Sequence, residues 1–126
     1  MTYLWLIAAL TFKHFLADFV LQRDYQFKNK GKYGHPGGLL HAGIHGLGTF
    51  LSFVWCVPLE WALMLALLDF AVHYHLDWAK ARVNNRMKLS PNEGAQYWML
   101  FGFDQFLHHM TYVGLLALAL HYNIVA

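Results

Sequence analysis

Four apolar stretches of this sequence each carry two histidine or aspartate residues spaced four positions apart. The pairs are His14/Asp18, His41/His45, His73/Asp77 and Asp104/His108. On an α-helix this spacing places both side chains on one face, one turn apart. Polar groups within apolar helices are costly to bury unless they pair or bind a ligand. The pairs therefore restrict how the helices can pack, and they are the main clue to function.

The composition favours an integral membrane protein. The chain has 126 residues, enough for one domain, and it is 58% hydrophobic but only 13% charged, whereas ordinary soluble domains are about 25% charged. A water-soluble domain of this size would have too little polar surface to cover itself. A soluble helical protein with an oversized core is the alternative. The single Cys56 excludes an internal disulfide, and Lys13 inside the first apolar run argues against a cleavable signal peptide.

The hydrophobic pattern predicts an all-α fold, a bundle of four transmembrane helices connected up-down-up-down. The predicted helices cover approximately residues 2–22, 39–57, 59–81 and 91–122. A glycine-rich turn around Pro36 and a tight turn at Pro58 separate the first three helices. Ser90, Pro91 and Glu93 have the spacing of a capping box, which predicts that the fourth helix begins near Pro91.

The basic residues orient the predicted bundle. Eight of the nine lysines and arginines fall in or beside the loops after the first and third helices: Arg23, Lys28, Lys30, Lys32, Lys80, Arg82, Arg86 and Lys88. By the positive-inside rule both loops face the cytoplasm, and both termini lie on the non-cytoplasmic side. Tryptophan and tyrosine residues near the predicted helix ends mark the two membrane interfaces. The two signals agree.

Helix geometry brings the four pairs to one depth. With a rise of about 1.5 Å per residue, all of them lie in the cytoplasmic half of the bilayer. Imidazole and carboxylate groups are ligands for zinc, manganese or iron, and facing helices of a bundle often hold metals. The predicted ligands of a divalent metal, with zinc preferred over manganese and iron, are His14, Asp18, His41, His45, His73, Asp77 and Asp104. One ion supported by outer carboxylates and two ions about 3.5–4 Å apart both stay open.

Several residues have both a functional and a structural interpretation. Asp104 and His108 can act as general base or acid in a hydrolytic reaction, or the His–Asp pairs can simply hydrogen-bond to one another inside the bundle. Lys80 either anchors its helix at the cytoplasmic interface or binds a substrate phosphate. The basic loops are expected to contact anionic lipid headgroups, whereas nucleic-acid binding lacks a supporting fold or aromatic surface.

The segments around these pairs resemble a known family. They read HFLADFVLQ (14–22), LHAGIH (40–45), HYHLDWAK (73–80) and DQFLH (104–108), and they are similar to the small membrane proteins grouped as domain of unknown function 3307. The resemblance covers nearly the whole chain, and such proteins occur in bacteria and their phages. It implies that the polar positions belong to one site in a multi-pass protein of the bacterial inner membrane. A looser similarity links the chain to inner-membrane proteins described as metal-dependent hydrolases.

The leading hypothesis is a cytoplasm-facing, metal-dependent membrane hydrolase that acts on a phosphoester or a lipid-derived amphiphile. A proton or divalent-metal transporter or channel is the main alternative, but it requires polar groups toward the outer half, where only Asp69 and His121 lie. A non-enzymatic membrane partner of a phage or bacterium, with a structural His–Asp network, is the third. Gly43, Gly46 and Gly48 permit close helix packing within the bundle or in a homo-oligomer.

Overall fold

The computed structural model describes residues 1–126 and consists of helices with no strands, which confirms the all-α prediction. The elements are α1 (Thr2–Phe15), which continues as a π-helical segment (Leu16–Val20), α2 (Asp24–Phe27), α3 (Pro36–Phe53), α4 (Leu59–Met87) and α5 (Ala95–His121). The short α2 lies in a stretch that the sequence pattern leaves as a loop.

The four longer helices pack side by side, and each is antiparallel to its neighbours. Helix α1 contacts α3 and α5, and α4 contacts the same two helices. Between α3 and α4, His41 lies near Asp77 while Thr49 lies near Asp69, so residue numbers rise along one helix as they fall along the other. This arrangement brings side chains from all four helices into one interior.

Two helix starts differ from the sequence prediction. Helix α3 begins at Pro36 rather than near residue 39, because proline suits the first helical position and His35 Nδ1 accepts a hydrogen bond from the Gly37 amide at 3.0 Å. Helix α5 begins at Ala95, so the predicted start at Pro91 is wrong. Gly94 has a φ of 120°, which is incompatible with a helix. The main-chain carbonyl of Ser90 accepts a hydrogen bond from the Glu93 amide, so these residues form a turn instead.

The end of α4 also differs. The helix continues to Met87, six residues beyond the predicted end at 81, and carries its basic residues on an exposed last turn and a half. It stops at Lys88, which adopts the left-handed conformation with a φ of 52° that commonly ends helices. The basic stretch predicted to be a loop is therefore largely helical.

The interior is divided into an apolar and a polar half. The apolar core lies toward the termini and the α3–α4 turn and comprises Leu6, Leu10, Phe53, Val57, Ala62, Leu65, Tyr112, Leu115 and Ala119. Toward the opposite end the interior is polar, and 11 of the 27 buried residues in the chain are polar or charged. Burial of so many ionisable groups in a chain this small needs a specific explanation.

One helical stretch, Thr2–Val20, is long and apolar enough to cross a membrane on length and composition alone. That test does not support the predicted set of four transmembrane helices. The reason is visible in the sequence, because buried residues such as Asp69 and Asp77 in α4 and Asp104 in α5 lower the hydropathy of the other long helices.

Candidate metal centre

Asp18 is carried by the π-helical segment that ends the first helix. The amide of Leu21 donates to the carbonyl of Leu16 at 2.8 Å, five residues back, which is the bonding pattern of a π-turn and is frequent at functional sites. The Asp18 carboxylate points into the bundle. Its Oδ1 lies 2.8 Å from His45 Nε2 and 3.0 Å from His41 Nε2.

The α3 histidines lie between two carboxylates. His41 Nε2 is 3.0 Å from Asp18 Oδ1 and 3.3 Å from Asp77 Oδ2 on α4. Both histidine side chains are fully buried. The spacing of four residues on α3 therefore places both rings on the face that meets α1 and α4, as the sequence pattern predicts.

Helices α4 and α5 complete the cluster from the other side. Asp77 Oδ1 lies 3.1 Å from His108 Nε2, and Asp77 Oδ2 lies 3.4 Å from His73 Nε2. Asp104 Oδ1 is 3.4 Å from His108 Nε2. The rings of His73 and His108 stack with centroids 4.0 Å apart. All four sequence pairs thus meet in a single buried cluster.

His14 belongs to the same cluster but is held by different partners. Its Nε2 lies 3.2 Å from Asp18 Oδ2 and 2.8 Å from the amide oxygen of Gln105. Its Nδ1 lies 2.8 Å from the hydroxyl of Tyr112. His14 is not among the side chains whose ligand atoms converge on one point, and its contact with Asp18 places it to orient that carboxylate.

Two overlapping groups of side chains can hold a metal ion. The first is Asp18, His41, His45 and His73, and the second is His73, Asp77 and His108; within each group the ligand atoms lie within 4.8 Å of one another. These donor sets suit a divalent transition metal, since imidazole and carboxylate together favour zinc, manganese or iron over calcium.

Several buried atoms of the cluster make no hydrogen bond of acceptable geometry. They are His41 Nε2, both ring nitrogens of His73 and Asp104 Oδ1. Asp77 Oδ2 also lacks a hydrogen bond of this kind but has the Lys30 ammonium 2.9 Å away. Buried polar groups in proteins are almost always satisfied, and leaving one unpaired costs about 1–3 kcal/mol. Nitrogen and oxygen lone pairs that converge without a hydrogen-bond donor form a site that a cation can occupy. The residues present therefore fit a divalent metal.

Comparison with protein families gives a match that covers the whole cluster. The family described as Protein of unknown function (DUF3307) matches residues 6–125. The chain belongs to the DUF3307 family. Comparison with curated proteins and with solved structures finds no match. The match spans every residue of the cluster, from His14 to His108, so the cluster lies wholly within the DUF3307 domain.

Two glutamines of this DUF3307 domain support the histidines from outside the ligand set. Gln26 on α2 is buried, and its Oε1 lies 3.1 Å from His41 Nδ1. Gln105 contacts His14 and lies 3.5 Å from Asp18 Oδ2. Such partners fix the ring orientation and tautomer of a metal-binding histidine. Gln26 lies outside any periodic pattern, so no sequence signal identifies it.

A buried ion pair lies deeper than the ligand cluster. Lys13 Nζ donates to Asp69 Oδ2 at 2.7 Å, and Thr49 Oγ1 donates to the same oxygen at 2.6 Å. Lys13 Nζ is also 3.3 Å from His45 Nδ1 and 4.5 Å from the Tyr112 ring centroid. Lys13 and Thr49 thus satisfy Asp69 Oδ2, while Oδ1 makes no hydrogen bond, and Asp69 does not enter the ligand groups.

Lys30 reaches the cluster from the basic end of the bundle. Its Nζ lies 2.9 Å from Asp77 Oδ2, and its side chain is only 12% exposed. Lys80, which the sequence suggests for a substrate phosphate, instead points its ammonium at the ring of Phe101, 5.4 Å from the centroid. Lys28, two residues before Lys30, lies at the surface and donates a hydrogen bond to Asp24. This bond holds the pKa of the Asp24 carboxyl below its ordinary value.

The remaining histidines lie outside the ligand groups. His35 caps α3, His75 Nδ1 lies 2.7 Å from the Ala71 carbonyl, and His109 Nδ1 lies 2.8 Å from the Gln105 carbonyl. His75 and His109 are near neighbours in sequence of His73 and His108, yet they face other directions. This contrast follows the helical period and supplies matched controls for mutagenesis.

Proposed function

We propose that this chain is a membrane-embedded, metal-dependent hydrolase with its metal centre near the basic end of the bundle. The observation that carries the proposal is the set of buried imidazole and carboxylate atoms that converge from four helices, several of which lack hydrogen bonds. A network kept only for packing would satisfy these atoms, because each unpaired one destabilises the fold.

The distribution of side chains supports embedding in a bilayer. Thirty-two large hydrophobic residues are exposed, whereas 13 hydrophobic residues form the buried core. The exposed ones occur on every long helix, as with Phe12 at 61%, Leu47 at 58%, Leu67 at 67% and Met99 at 70%. An apolar exterior around a polar interior suits a protein surrounded by lipid. Helices are compatible with this environment because their backbone groups hydrogen-bond within the helix.

The arrangement of charges supports one orientation in the membrane. The basic residues of the α1–α3 connection and of the C-terminal part of α4 lie at the end that carries the cluster, which we propose faces the cytoplasm. The α3–α4 turn and both termini then lie on the other side. All four long helices cross the membrane in this proposal, and the basic end contacts anionic lipid headgroups.

Zinc is the metal that we propose first, with manganese or iron as alternatives. When bound, a divalent ion supplies Lewis-acid chemistry and acidifies a water molecule so that it becomes a nucleophile at neutral pH. The chain's own residues do the rest: Asp18 and the histidines hold the site, and Asp104 and His108, 3.4 Å apart, are within reach to take up or release a proton. Lys30 at the rim suits an anionic substrate such as a phosphoester or a phosphorylated lipid.

The apolar half of the interior argues against a transport pathway. Leu6, Leu10, Phe53, Leu65 and Leu115 are 0–3% exposed and fill the bundle between the cluster and the far end. Ions or protons crossing the membrane need polar groups or water along the whole path. Going from the basic end toward the apolar core, the last buried polar residues are Lys13, Thr49 and Asp69. The packing therefore favours a site that opens to the basic end only.

Metal content tests the proposal most directly. We expect full-length protein purified in detergent, loaded with zinc and dialysed, to retain zinc in stoichiometric amount by elemental analysis. The His73→Ala variant is expected to lose this zinc. The His75→Ala variant, changed two residues away on another face of the same helix, is expected to retain it. Wild-type protein that holds no manganese, iron or zinc after loading with each would refute the proposal.

Membrane orientation is tested separately by cysteine labelling. In a Cys56→Ser background, Lys88→Cys is expected to react with a membrane-impermeant maleimide only from the cytoplasmic side, and Trp55→Cys only from the opposite side. Equal labelling of both positions from one side would contradict the four-span arrangement.

A further inference from the structure

We infer that the centre binds two divalent ions, which share the Asp77 carboxylate, and that Asp104 and His108 hold the second ion. This inference rests on the proposed metal centre and specifies its composition. It gives Asp104 and His108 the role of ligands rather than of a free acid–base pair.

The number of donors exceeds what one ion can use. Zinc in protein sites takes about four ligands, and the first group already supplies Asp18, His41, His45 and His73. His73 occurs in both groups, but its Nε2 can coordinate one ion only. With His73 assigned to the first group, Asp77 and His108 still form a pair of close donors without a role.

Asp104 supplies the third donor for this second position. Its Oδ1 is buried, lies 3.4 Å from His108 Nε2 and makes no hydrogen bond. Its Oδ2 is 3.3 Å from the Gln105 amide nitrogen, which fixes the carboxylate so that Oδ1 faces the cluster. A buried carboxylate oxygen without a hydrogen bond, beside an imidazole nitrogen, is a position that a divalent cation can fill.

The two oxygens of Asp77 face the two groups separately. Oδ2 lies near His41 Nε2 at 3.3 Å and His73 Nε2 at 3.4 Å, whereas Oδ1 lies near His108 Nε2 at 3.1 Å. Oδ2 also pairs with Lys30 Nζ at 2.9 Å, and the first ion would take the place of this ammonium. A carboxylate placed in this way can give one oxygen to each ion. Two-metal hydrolytic sites hold their ions about 3.5–4 Å apart, a separation that one carboxylate can span.

The two positions differ in how completely the protein surrounds them. The first has four protein ligands in addition to the shared carboxylate, and the second has Asp77, Asp104 and His108. Structural metal sites are closed, whereas catalytic sites leave a position for water or substrate. Two divalent ions against three carboxylates (Asp18, Asp77 and Asp104) also leave the loaded centre positive, which suits an anionic substrate.

Metal stoichiometry tests the inference with a readout independent of activity. Metal-free full-length protein in detergent is titrated with zinc, and bound zinc per chain is measured by elemental analysis after removal of free metal. We expect two zinc ions per wild-type chain. The Asp104→Asn variant, which preserves side-chain size, is expected to bind one zinc ion, while Asp24→Asn at the exposed start of α2 is expected to bind two.

Manganese provides a second readout. Two manganese ions that share a carboxylate are magnetically coupled, so the wild-type protein at saturation is expected to give the electron paramagnetic resonance signal of a coupled pair. Asp104→Asn is expected to give the signal of an isolated ion.

The outcomes separate this inference from the proposed function. One zinc per wild-type chain at saturation would overturn the second ion and leave a one-metal hydrolase intact. No zinc at all would overturn the proposed function itself. Two zinc ions retained by Asp104→Asn, with a coupled manganese signal, would overturn the assignment of Asp104 as a ligand.

Discussion

The imidazole ring of His73 stacks on the ring of His45 across the α3–α4 interface, with centroids 3.5 Å apart. The opposite face of His73 stacks on His108 at 4.0 Å, and neither ring nitrogen of His73 makes a hydrogen bond. His73 therefore joins the two ligand groups. A cation that the His73 nitrogen can coordinate would supply the partner that this buried ring lacks.

Removal of metal is expected to destabilise the protein. A ligand present at 100 times its dissociation constant stabilises the folded state by about 2.7 kcal/mol, so a strong chelator should lower the melting temperature of zinc-loaded protein by several degrees. The measurement is thermal unfolding in detergent with and without chelator. His73→Ala should show no such dependence. A wild-type melting temperature unaffected by zinc or chelator would contradict this prediction.

Gln26→Leu is expected to weaken metal binding while leaving the helices intact. The substitution removes the amide oxygen 3.1 Å from His41 Nδ1, and loss of such a partner typically lowers metal affinity about 10–100-fold. Competition with a zinc-binding dye measures the change. Gln96→Leu, at an exposed position at the start of α5, is the matched control and should bind zinc like the wild type.

The convergence of the four pairs could be predicted from the sequence. A spacing of four fixes the helix face, and successive long helices run antiparallel, so His14, His45, His73 and His108 meet at one level. Both rules act locally along one helix or loop, and tertiary packing does not override them here.

Features that depend on tertiary packing could not be predicted in this way. The π-helical segment at Leu16–Val20 has no sequence signature, yet it sets the direction of Asp18. Lys30 reaches Asp77 because the chain between α1 and α3 folds over the basic end, and Lys13 finds Asp69 on a different helix. The capping signal at Ser90 was misleading because Gly94 interrupts the helix four residues later.

Close approach of α3 and α4 is expected to be necessary for the centre. A Cβ added to Gly46 would lie 3.2 Å from both the Ala66 carbonyl oxygen and the Phe70 Cβ, so Gly46→Ala should push the helices apart and cost about 1–3 kcal/mol. Zinc affinity should fall with stability. Gly43→Ala meets nothing within 4 Å and should raise the melting temperature slightly, because alanine favours helix over glycine. Equal effects at both positions would contradict the prediction.

Lys30 and Lys80 are expected to differ in their effect on an anionic substrate. Lys30 contacts Asp77, whereas Lys80 lies over Phe101. For zinc-loaded protein acting on bis(4-nitrophenyl) phosphate or a fluorescent phospholipid, Lys30→Met should raise KM more than it changes kcat. Lys80→Met should leave both close to the wild-type values. If Lys80→Met alone raised KM, the substrate would be bound as the sequence hypothesis suggested.

Disruption of the buried Lys13–Asp69 pair is expected to be strongly destabilising. The two side chains are 9% and 1% exposed, and removal of one partner of a buried ion pair costs about 3–5 kcal/mol because the other charge is left unpaired. Lys13→Met and Asp69→Leu should each lower the free energy of unfolding by this amount. The double variant should recover most of the loss, since an apolar pair can replace a buried ion pair at little cost. Asp24→Asn, which breaks the exposed Lys28–Asp24 pair, should leave stability unchanged. Additive losses of unfolding free energy in the double variant would indicate that Lys13 and Asp69 act independently. The short Nζ–Oδ2 contact would then not be what stabilises the interior between the polar cluster and the apolar core.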